Sequence, residues 1–319
     1  MPERFFVTGA LGCLGAWVVR NLVAEGVPVT VFDLGADPHR LRLIMSPEAL
    51  AQVNFVTGDI TDLPALEQAM QGATHVIHLA ALQVPFCRAD PPLGARVNVV
   101  GTINLFEAAK KLGLRQLVYA SSAAVFGQSE DYPEESLGDD ALPRPNSLYG
   151  VYKLANEGSA RIYWQEQQFA SAGLRPYTVY GPGRDQGMTS GPTKAMLAAA
   201  AGLPYHIPFG GRGAFQYTDD VARIFIQVAR ATLSGAAVYN LRGSIAHMRE
   251  IVSTIEAAAP AANGTITFTE QALPLPEATD DAGLRTLLGS VPATPLADGV
   301  SATIALFREA LAAGKIKPV

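Results

Sequence analysis

Tyr149 and Lys153 stand four residues apart in the run YGVYK. The segment around them has apolar residues at helical spacing, so we expect both side chains on one face of a helix. An ammonium group beside a phenol favours the phenolate and lowers the pKa of the phenol, which can then take a proton from a secondary alcohol. The same spacing also occurs on ordinary helices. Tyr152 serves as an internal comparison, because no lysine follows it four residues later.

Ser122 is a second candidate for chemistry, at the end of the run RQLVYASS (115–122), which predicts a strand. Ligands of open α/β sheets bind beyond the carboxyl ends of the strands, where this hydroxyl could polarise a substrate oxygen. The alternative is a serine that satisfies backbone groups at the strand end, a role that also fits its neighbour Ser121.

A glycine-rich turn, TGALGCLG (8–15), joins the apolar run RFFV to the amphipathic run AWVVRNLVAEG. A strand that turns directly into a helix leaves unpaired backbone N–H groups at the helix N-terminus, where a phosphate can bind. Asp33 ends the next predicted strand about twenty residues later, the place of a carboxylate that binds an adenosine ribose. Together they favour a bound dinucleotide over a turn without a ligand.

Short strands and longer helices alternate along the first half of the chain. Further strands are predicted at 54–59, 74–81 and 174–180, with helical runs between them. This repetition predicts an α/β fold, a doubly wound parallel sheet of the Rossmann type. After Tyr180 the rhythm breaks into Gly- and Pro-rich loops, which indicates a smaller, interleaved C-terminal substrate domain.

The expected domain limits follow from that break. Residues 1–180 form the dinucleotide-binding Rossmann domain, to which 214–243 return. Residues 181–213 and 244–319 form the substrate-binding domain.

Composition excludes several classes of function. The net charge of −5 and the lack of a basic cluster argue against nucleic acid as a partner. Neither a secretion leader nor an apolar run of membrane-spanning length is present, so we expect a cytoplasmic protein without membrane contact. Cys13 and Cys87 show no metal-ligand spacing, and no metal is expected.

The motifs as a set are familiar. TGALGCLG, Asp33, GDITD, HLAA, ASSAAVFG, YGVYK and VYGPGRD, in this order, resemble the extended short-chain dehydrogenase/reductase family of NAD-dependent sugar epimerases and dehydratases, over residues 4–231. The resemblance implies a catalytic trio of Ser122, Tyr149 and Lys153, with Lys153 also bound to the nicotinamide ribose. The residues that it implies for cofactor binding are Gly9, Gly12, Leu14, Gly15, Asp33, Asp59, Ile60, Leu79, Ala80, Ala81, Asn98, Tyr149, Lys153 and Tyr177.

Two further expectations come with this resemblance. Asp33 has no arginine directly after it, which favours NAD over NADP because a carboxylate repels a 2′-phosphate. Arg40 and Arg42 leave NADP as the less favoured alternative. A homodimer is implied, paired through the helices at 97–112 and 149–169.

The chain departs from the resembled family at two places. Dehydratases of that family have Asp-Glu directly after the catalytic hydroxyl residue, where this chain has Ala123 and Ala124, which argues against dehydration. Members that bind nucleotide sugars have Asn in place of Thr178, Arg-Asp at 213–214 and an arginine nearer the C-terminus. Here Arg212 stands one residue earlier, and LPLPEATDD (273–281) contains no arginine. Diphosphates are held by clustered cations, so a substrate without a nucleotide is favoured.

Candidate substrate contacts lie mainly on loops after the predicted strands. They are Gln83, Arg88, Ser122, Thr178, Arg184, Thr189, Ser190 and Arg212. An arginine among them could clamp a carboxylate. The alternative for each loop residue is a local hydrogen bond or salt bridge.

These observations favour an NAD-dependent oxidoreductase that transfers a hydride between NAD and a secondary alcohol of a small sugar, polyol or sugar acid. The first alternative is a sugar or nucleotide-sugar epimerase similar to UDP-glucose 4-epimerase, which uses the same trio but returns the hydride. A regulatory protein that binds NAD without turnover is the third hypothesis, and an intact Ser-Tyr-Lys trio argues against it.

Overall fold

The computed structural model describes residues 2–318 as twelve strands and thirteen α-helices. The strands are β1 (Phe5–Thr8), β2 (Val29–Asp33), β3 (Asn54–Thr57), β4 (His75–His78), β5 (Gln116–Ala120), β6 (Ala170–Arg175), β7 (Thr178–Tyr180), β8 (Tyr205–Ile207), β9 (Arg212–Tyr217), β10 (Ala236–Asn240), β11 (Ser244–His247) and β12 (Ile266–Phe268). The helices are α1 (Cys13–Ala24), α2 (His39–Ile44), α3 (Pro47–Leu50), α4 (Leu63–Ala69), α5 (Val84–Ala89), α6 (Pro91–Ala95), α7 (Gly101–Lys111), α8 (Leu148–Gln167), α9 (Gly191–Ala201), α10 (Thr218–Arg230), α11 (Met248–Ala258), α12 (Ala282–Leu288) and α13 (Leu296–Ala312).

Seven strands form one parallel sheet, in the order β10-β6-β5-β4-β1-β2-β3. In its register Phe5 of β1 pairs with Val29 on one side and with His75 on the other. The chain order reverses between β1 and β4, which is the crevice where doubly wound sheets bind dinucleotides. The predicted doubly wound parallel α/β fold is confirmed.

Helices bury apolar side chains against both faces of this sheet. On one face α1 and α10 contribute Trp17, Leu22 and Phe225 to a core that includes Val7 of β1. A second core, on α4, α7 and α8, contains Leu66 and Phe106 among others. No helix within residues 2–318 is both long and apolar enough to cross a membrane.

The strand predicted over 174–180 is wrong in its limits, because the chain forms two strands there. β6 ends at Arg175 in the main sheet, and β7 begins at Thr178 in a three-stranded sheet of order β11-β9-β7. Pro176 has no N–H to donate to a strand ladder, so the main-sheet pairing stops before it.

The elements beyond β7 build a core of their own. Strands β8, β9 and β11 pack with α9, α11 and α13 around buried residues that include Met196, Phe215, Ile255 and Ile304. β10 pairs with β6 and so lies in the main sheet. The division into a cofactor domain and a substrate domain stays a prediction.

Candidate active site

The glycine turn between β1 and α1 allows very close backbone approach. Gly9 has a φ of +67°, and a Cβ there would lie 2.5 Å from the backbone nitrogen of Ala80. A Cβ on Gly15 would lie 2.4 Å from the Cα of Ala10. A side chain at either position would therefore collide with the backbone. The turn leaves the N-terminus of α1 at the cavity, suited to a phosphate group.

Asp33, at the end of β2, is held by the backbone. Its Oδ2 accepts the N–H of Leu11 at 2.9 Å, and its Oδ1 accepts that of Gly35 at 3.1 Å. Arg40 is paired with Asp185, with Nη2 and Oδ1 2.7 Å apart.

Arg42, the other cation considered for NADP, is paired with Asp37. Both arginines thus have carboxylate partners, and Asp33 repels a 2′-phosphate. The residues present fit NAD.

One cavity of about 1080 Å³ joins this turn to the ends of β4 and β5. Its lining includes these predicted cofactor residues: Gly9, Gly12, Leu14, Gly15, Asp33, Asp59, Ile60, Leu79, Ala80, Ala81, Tyr149, Lys153 and Tyr177. Asn98 is different, because it is buried and does not line the cavity.

Asn98 lies in a π-helical turn, Arg96–Val100, between α6 and α7. Its Oδ1 accepts the N–H of Leu82 at 2.7 Å, and its Nδ2 donates to the carbonyl of Leu82 at 2.9 Å. Asn98 therefore fixes the loop after β4, and its predicted direct contact with the cofactor does not agree with this placement.

Ser122, Tyr149 and Lys153 line the same cavity. Ser122 begins a 3₁₀ turn after β5, and its Oγ accepts the N–H of Ala124 at 3.1 Å. Tyr149 and Lys153 lie in the first turns of α8. A Cβ on Gly150 would lie 2.0 Å from the carbonyl oxygen of Ala124. The trio is thus assembled where α8 touches this turn at a glycine.

Lys153 is buried, with 3% of its surface exposed. Its Nζ donates to the carbonyl oxygen of Ala120 at 2.6 Å and lies 5.6 Å from the centroid of the Tyr149 ring. Burial lowers the pKa of Lys153 to about 8. At neutral pH the Lys153 amine is therefore still protonated in most of the molecules.

The Tyr149 phenol experiences opposing influences. Burial raises the pKa of Tyr149 above its ordinary value, whereas the Ser122 hydroxyl and the charge of Arg184 lower it. Arg184, which the YGVYK spacing does not predict, therefore adds a positive charge that lowers this pKa.

Four of the predicted substrate residues line the cavity beyond this trio: Gln83, Arg88, Arg184 and Thr189. The Nη2 of Arg184 donates to the Oγ1 of Thr189 at 2.8 Å. Gln83 is the residue before α5, and its Oε1 would lie 2.2 Å from a Cβ on Gly187. Gln83 and Arg184 therefore converge on the Gly187 backbone.

Three predicted substrate residues lie outside the cavity lining: Thr178, Ser190 and Arg212. Thr178 is buried in β7, and the Oγ of Ser190 donates to the carbonyl of Gly187 at 2.8 Å. Arg212 is exposed at the start of β9. Their predicted substrate contacts do not agree with this placement, because Val179 and not Thr178 is the residue of β7 that lines the cavity, and Ser190 is bound to the Gly187 carbonyl.

Sequence reasoning missed the residues that close the substrate end of the cavity. They are Gln128, Asn146, Met188, Leu273, Pro274 and Leu275. The Nδ2 of Asn146 donates to the carbonyl of Pro274 at 2.8 Å. Only the unusual run LPLP marks this segment in the sequence, and no spacing relates it to the earlier motifs.

Tyr177 also lies at the substrate end of the cavity and is bound to the same C-terminal segment. Its phenol donates to the carbonyl of Pro276 at 2.7 Å, and its backbone N–H donates to Gln216 at 2.9 Å. A Cβ on Gly213 would lie 3.4 Å from the Tyr177 ring. The space beside Gly213 is therefore filled by this ring.

No cluster of metal-ligating side chains occurs within residues 2–318.

Comparison with known proteins gives consistent matches. Residues 5–241 match the family described as the NAD dependent epimerase/dehydratase family. The chain is 30% identical to UDP-glucose 4-epimerase of Mycolicibacterium smegmatis, over 96% of this chain and 98% of that protein. It is also 30% identical to dTDP-glucose 4,6-dehydratase of Streptomyces griseus, over 97% and 95%. The crystal structure of Thermus thermophilus UDP-glucose 4-epimerase with NAD superposes with a TM-score of 0.81 at 28% identity, covering 97% of this chain and 100% of that one.

Proposed function

The chain belongs to the NAD dependent epimerase/dehydratase family, an extended short-chain dehydrogenase/reductase group, and from this we propose that it is an oxidoreductase that oxidises a secondary alcohol of a small carbohydrate-type substrate. It is an enzyme with NAD as its cofactor. One observation carries the proposal: Ser122, Tyr149 and Lys153 line the same cavity as the glycine turn and Asp33.

We assign each member of the trio a role on the basis of its place in the cavity. Tyr149 takes the hydroxyl proton of the substrate as general base. Ser122 donates a hydrogen bond to the substrate oxygen, and the Lys153 ammonium contributes a hydrogen bond and charge on the cofactor side. Bound NAD would supply the acceptor for the hydride of the carbinol carbon.

Dehydration is disfavoured by the residues after Ser122. Ala123 and Ala124 have no group that can transfer a proton, and Ala123 is buried. Elimination of water needs an acid and a base besides the phenol. The similarity to a dehydratase is therefore one of family and fold.

A substrate without a nucleotide is supported by the closed end of the cavity. Leu273, Pro274 and Leu275 line that end with apolar surface, and Tyr177 fills the space beside Gly213. Arg212, the cation considered for a diphosphate, is outside the cavity lining. A diphosphate normally needs clustered cations, and the closing residues Leu273, Pro274, Leu275 and Tyr177 carry no positive charge.

Epimerisation is the second candidate function. Full-length similarity to UDP-glucose 4-epimerase favours it. The two reactions share the proton transfer to Tyr149 but differ in whether the substrate turns over and is reduced again. A ketone without a nucleotide tether dissociates more easily than it reorients, which favours net oxidation.

The deciding experiment is incubation with NAD and a panel of sugars, polyols and sugar acids, with and without a nucleotide. Accumulation of NADH absorbance with a small alcohol supports the proposal. An inverted nucleotide sugar without net NADH replaces it with the epimerase. Tight NAD binding with no reaction across the panel would revive the regulatory hypothesis.

We also propose a homodimer formed through α8. Leu148, Val151 and Ile162 leave 43%, 44% and 42% of their surface exposed. These positions lie on one face of the helix at spacings close to whole turns. Exposed apolar residues aligned in this way suit a second copy of the same surface.

A further inference from the structure

Among the described residues Arg184 has no carboxylate partner, although an aspartate follows it directly. Asp185 is bound by Arg40, whose Nε and Nη2 donate to its Oδ1 at 3.0 and 2.7 Å. His39 lies on the other carboxylate oxygen, at 3.2 Å. No salt bridge to Arg184 forms within residues 2–318. Within residues 2–318 the guanidinium therefore remains a positive charge without a counter-charge.

Its hydrogen bonds are also incomplete. Nη2 donates to the neutral hydroxyl of Thr189 at 2.8 Å, whereas Nε is buried and has no acceptor. A buried donor without an acceptor carries its full desolvation cost, and the cost is larger when the group is charged. The Nε–H and the guanidinium charge together call for an acceptor of negative charge.

Arg184 also lies where it can act on the reacting part of a substrate. It lines the cavity with Gln83, Thr189 and the catalytic Tyr149. Its charge acts on the Tyr149 phenol and lowers the pKa of that group. An anion bound by Arg184 would therefore sit within the same small substrate space as the carbinol.

We propose that Arg184, supported by Thr189, binds a carboxylate of the substrate, so that the enzyme acts on a hydroxy acid of the sugar-acid type. This inference rests on the proposed oxidation of a small alcohol and names its substrate class. A planar guanidinium can donate two parallel hydrogen bonds to a carboxylate. The side-on form of this fork uses Nε–H, which has no acceptor within the described residues.

Binding to the NADH complex tests this assignment without turnover. Each acid is titrated against its neutral counterpart: D-glucuronate with D-glucose, D-galacturonate with D-galactose and glycerate with glycerol, with the fluorescence of bound NADH as readout. The wild type should bind at least one acid more tightly than its neutral partner. Arg184→Gln should weaken that acid by about tenfold to a hundredfold, the range of a charge-assisted hydrogen bond, and leave the neutral partner and NADH unchanged.

Two comparison variants sharpen the test. Arg184→Lys keeps the charge but loses the planar fork and should restore only part of the affinity. Arg249→Gln removes an arginine whose side chain is 74% exposed on α11 and should keep the preference for the acid.

Three results would overturn the assignment. The first is that the wild type prefers no acid over its neutral partner. The second is that the preference for the acid survives in Arg184→Gln. The third is that Arg184→Gln loses as much affinity for NADH as for the acid. The last would assign the arginine to the cofactor diphosphate. Retained acid preference without NADH formation from NAD would instead contradict the proposed oxidation and leave this inference standing.

Discussion

The carboxylate of Glu157 on α8 accepts hydrogen bonds from Nε and Nη2 of Arg175, each at 2.8 Å. Both side chains are buried, at 8% and 3% exposed. Glu157 also accepts a hydrogen bond from Ser121, the neighbour of Ser122. Glu157 therefore ties the end of β6, through Arg175, and the end of β5, through Ser121, to the helix that carries Tyr149 and Lys153.

Loss of one partner of this pair should be costly. Glu157→Gln leaves Arg175 buried without a counter-charge, and we expect the free energy of unfolding to fall by about 3 to 5 kcal/mol. Urea unfolding measures the change. Glu67→Gln, which disrupts a pair with the exposed Lys111, should cost less than about 1 kcal/mol. Equal losses in the two variants would show that Glu157 does not act as a buried ion partner.

Removal of the proposed base should lower turnover without affecting NAD binding. Tyr149→Phe is expected to lower the turnover number by about a hundredfold to ten-thousandfold, the contribution of a general base, with NAD affinity kept. Tyr152→Phe is the matched control, because that phenol donates to the carbonyl of Pro91 at 3.0 Å. Steady-state rates and NAD titration separate the two effects. Full activity in Tyr149→Phe would remove this residue from the mechanism.

Two glycines with nearly equal backbone angles test the close approach at the turn. Gly26 has a φ of +72° and open space around it, whereas a Cβ on Gly9, at +67°, meets the backbone of Ala80. Gly26→Ala should cost about 1 to 2 kcal/mol of stability, from the backbone alone. Gly9→Ala should cost more and also weaken NAD binding, measured by calorimetry. Equal effects would mean that the φ angle and not the collision determines the requirement for glycine.

His78 should make the fold sensitive to acid. Its ring lies between the hydroxyls of Thr8, at 2.7 Å, and Thr102, at 3.0 Å. Burial, followed by the charge of Lys153, lowers the pKa of His78 from 6.5 to about 3. Between these values only the unfolded chain binds the proton, so stability falls as the pH drops from about 6.5 toward 3.

The size of this loss is on the order of 5 kcal/mol, given the shift in pKa. His78→Gln should flatten that part of the stability profile, measured by urea unfolding at several pH values. The exposed His206 provides the control, since His206→Gln should leave the acid slope as it is. An unchanged slope in His78→Gln would exclude His78 as its source.

The proposed dimer depends on apolar contact along α8. Val151→Asp should shift the protein from dimer to monomer, because a charge would be buried in the interface. Light scattering after gel filtration measures the mass. Leu203→Asp changes a residue 37% exposed after α9 and should leave the dimer intact. A monomeric wild type would contradict the proposal directly.

The main parallel sheet and its helices can be predicted from the sequence, because each of these strands and helices has its own hydrophobic periodicity. Asp33 and the glycine turn can also be predicted, because their positions depend only on where a strand ends and where the next helix begins. The strand at 174–180 was misjudged because Pro176 interrupts an otherwise continuous β-rich run.

The sequence does not predict that Leu273 and Pro274 close the substrate end of the cavity. This closure depends on a contact with Asn146, more than a hundred residues earlier. The sequence predicts Arg184 as a loop residue, but it does not show that Arg184 lacks a carboxylate partner within residues 2–318. The adjacent carboxylate, that of Asp185, is bound by Arg40.

The change of sheet at Pro176 and Tyr177 also has a consequence for motion. These two residues alone separate β6 from β7, and both line the cavity. The Pro176 carbonyl also accepts the N–H of Ala123, directly after Ser122, at 3.0 Å. Any rotation of the second sheet relative to the first at this crossing would have to be absorbed by these two residues. Such a rotation would therefore move residues that line the cavity and would act on the backbone next to Ser122.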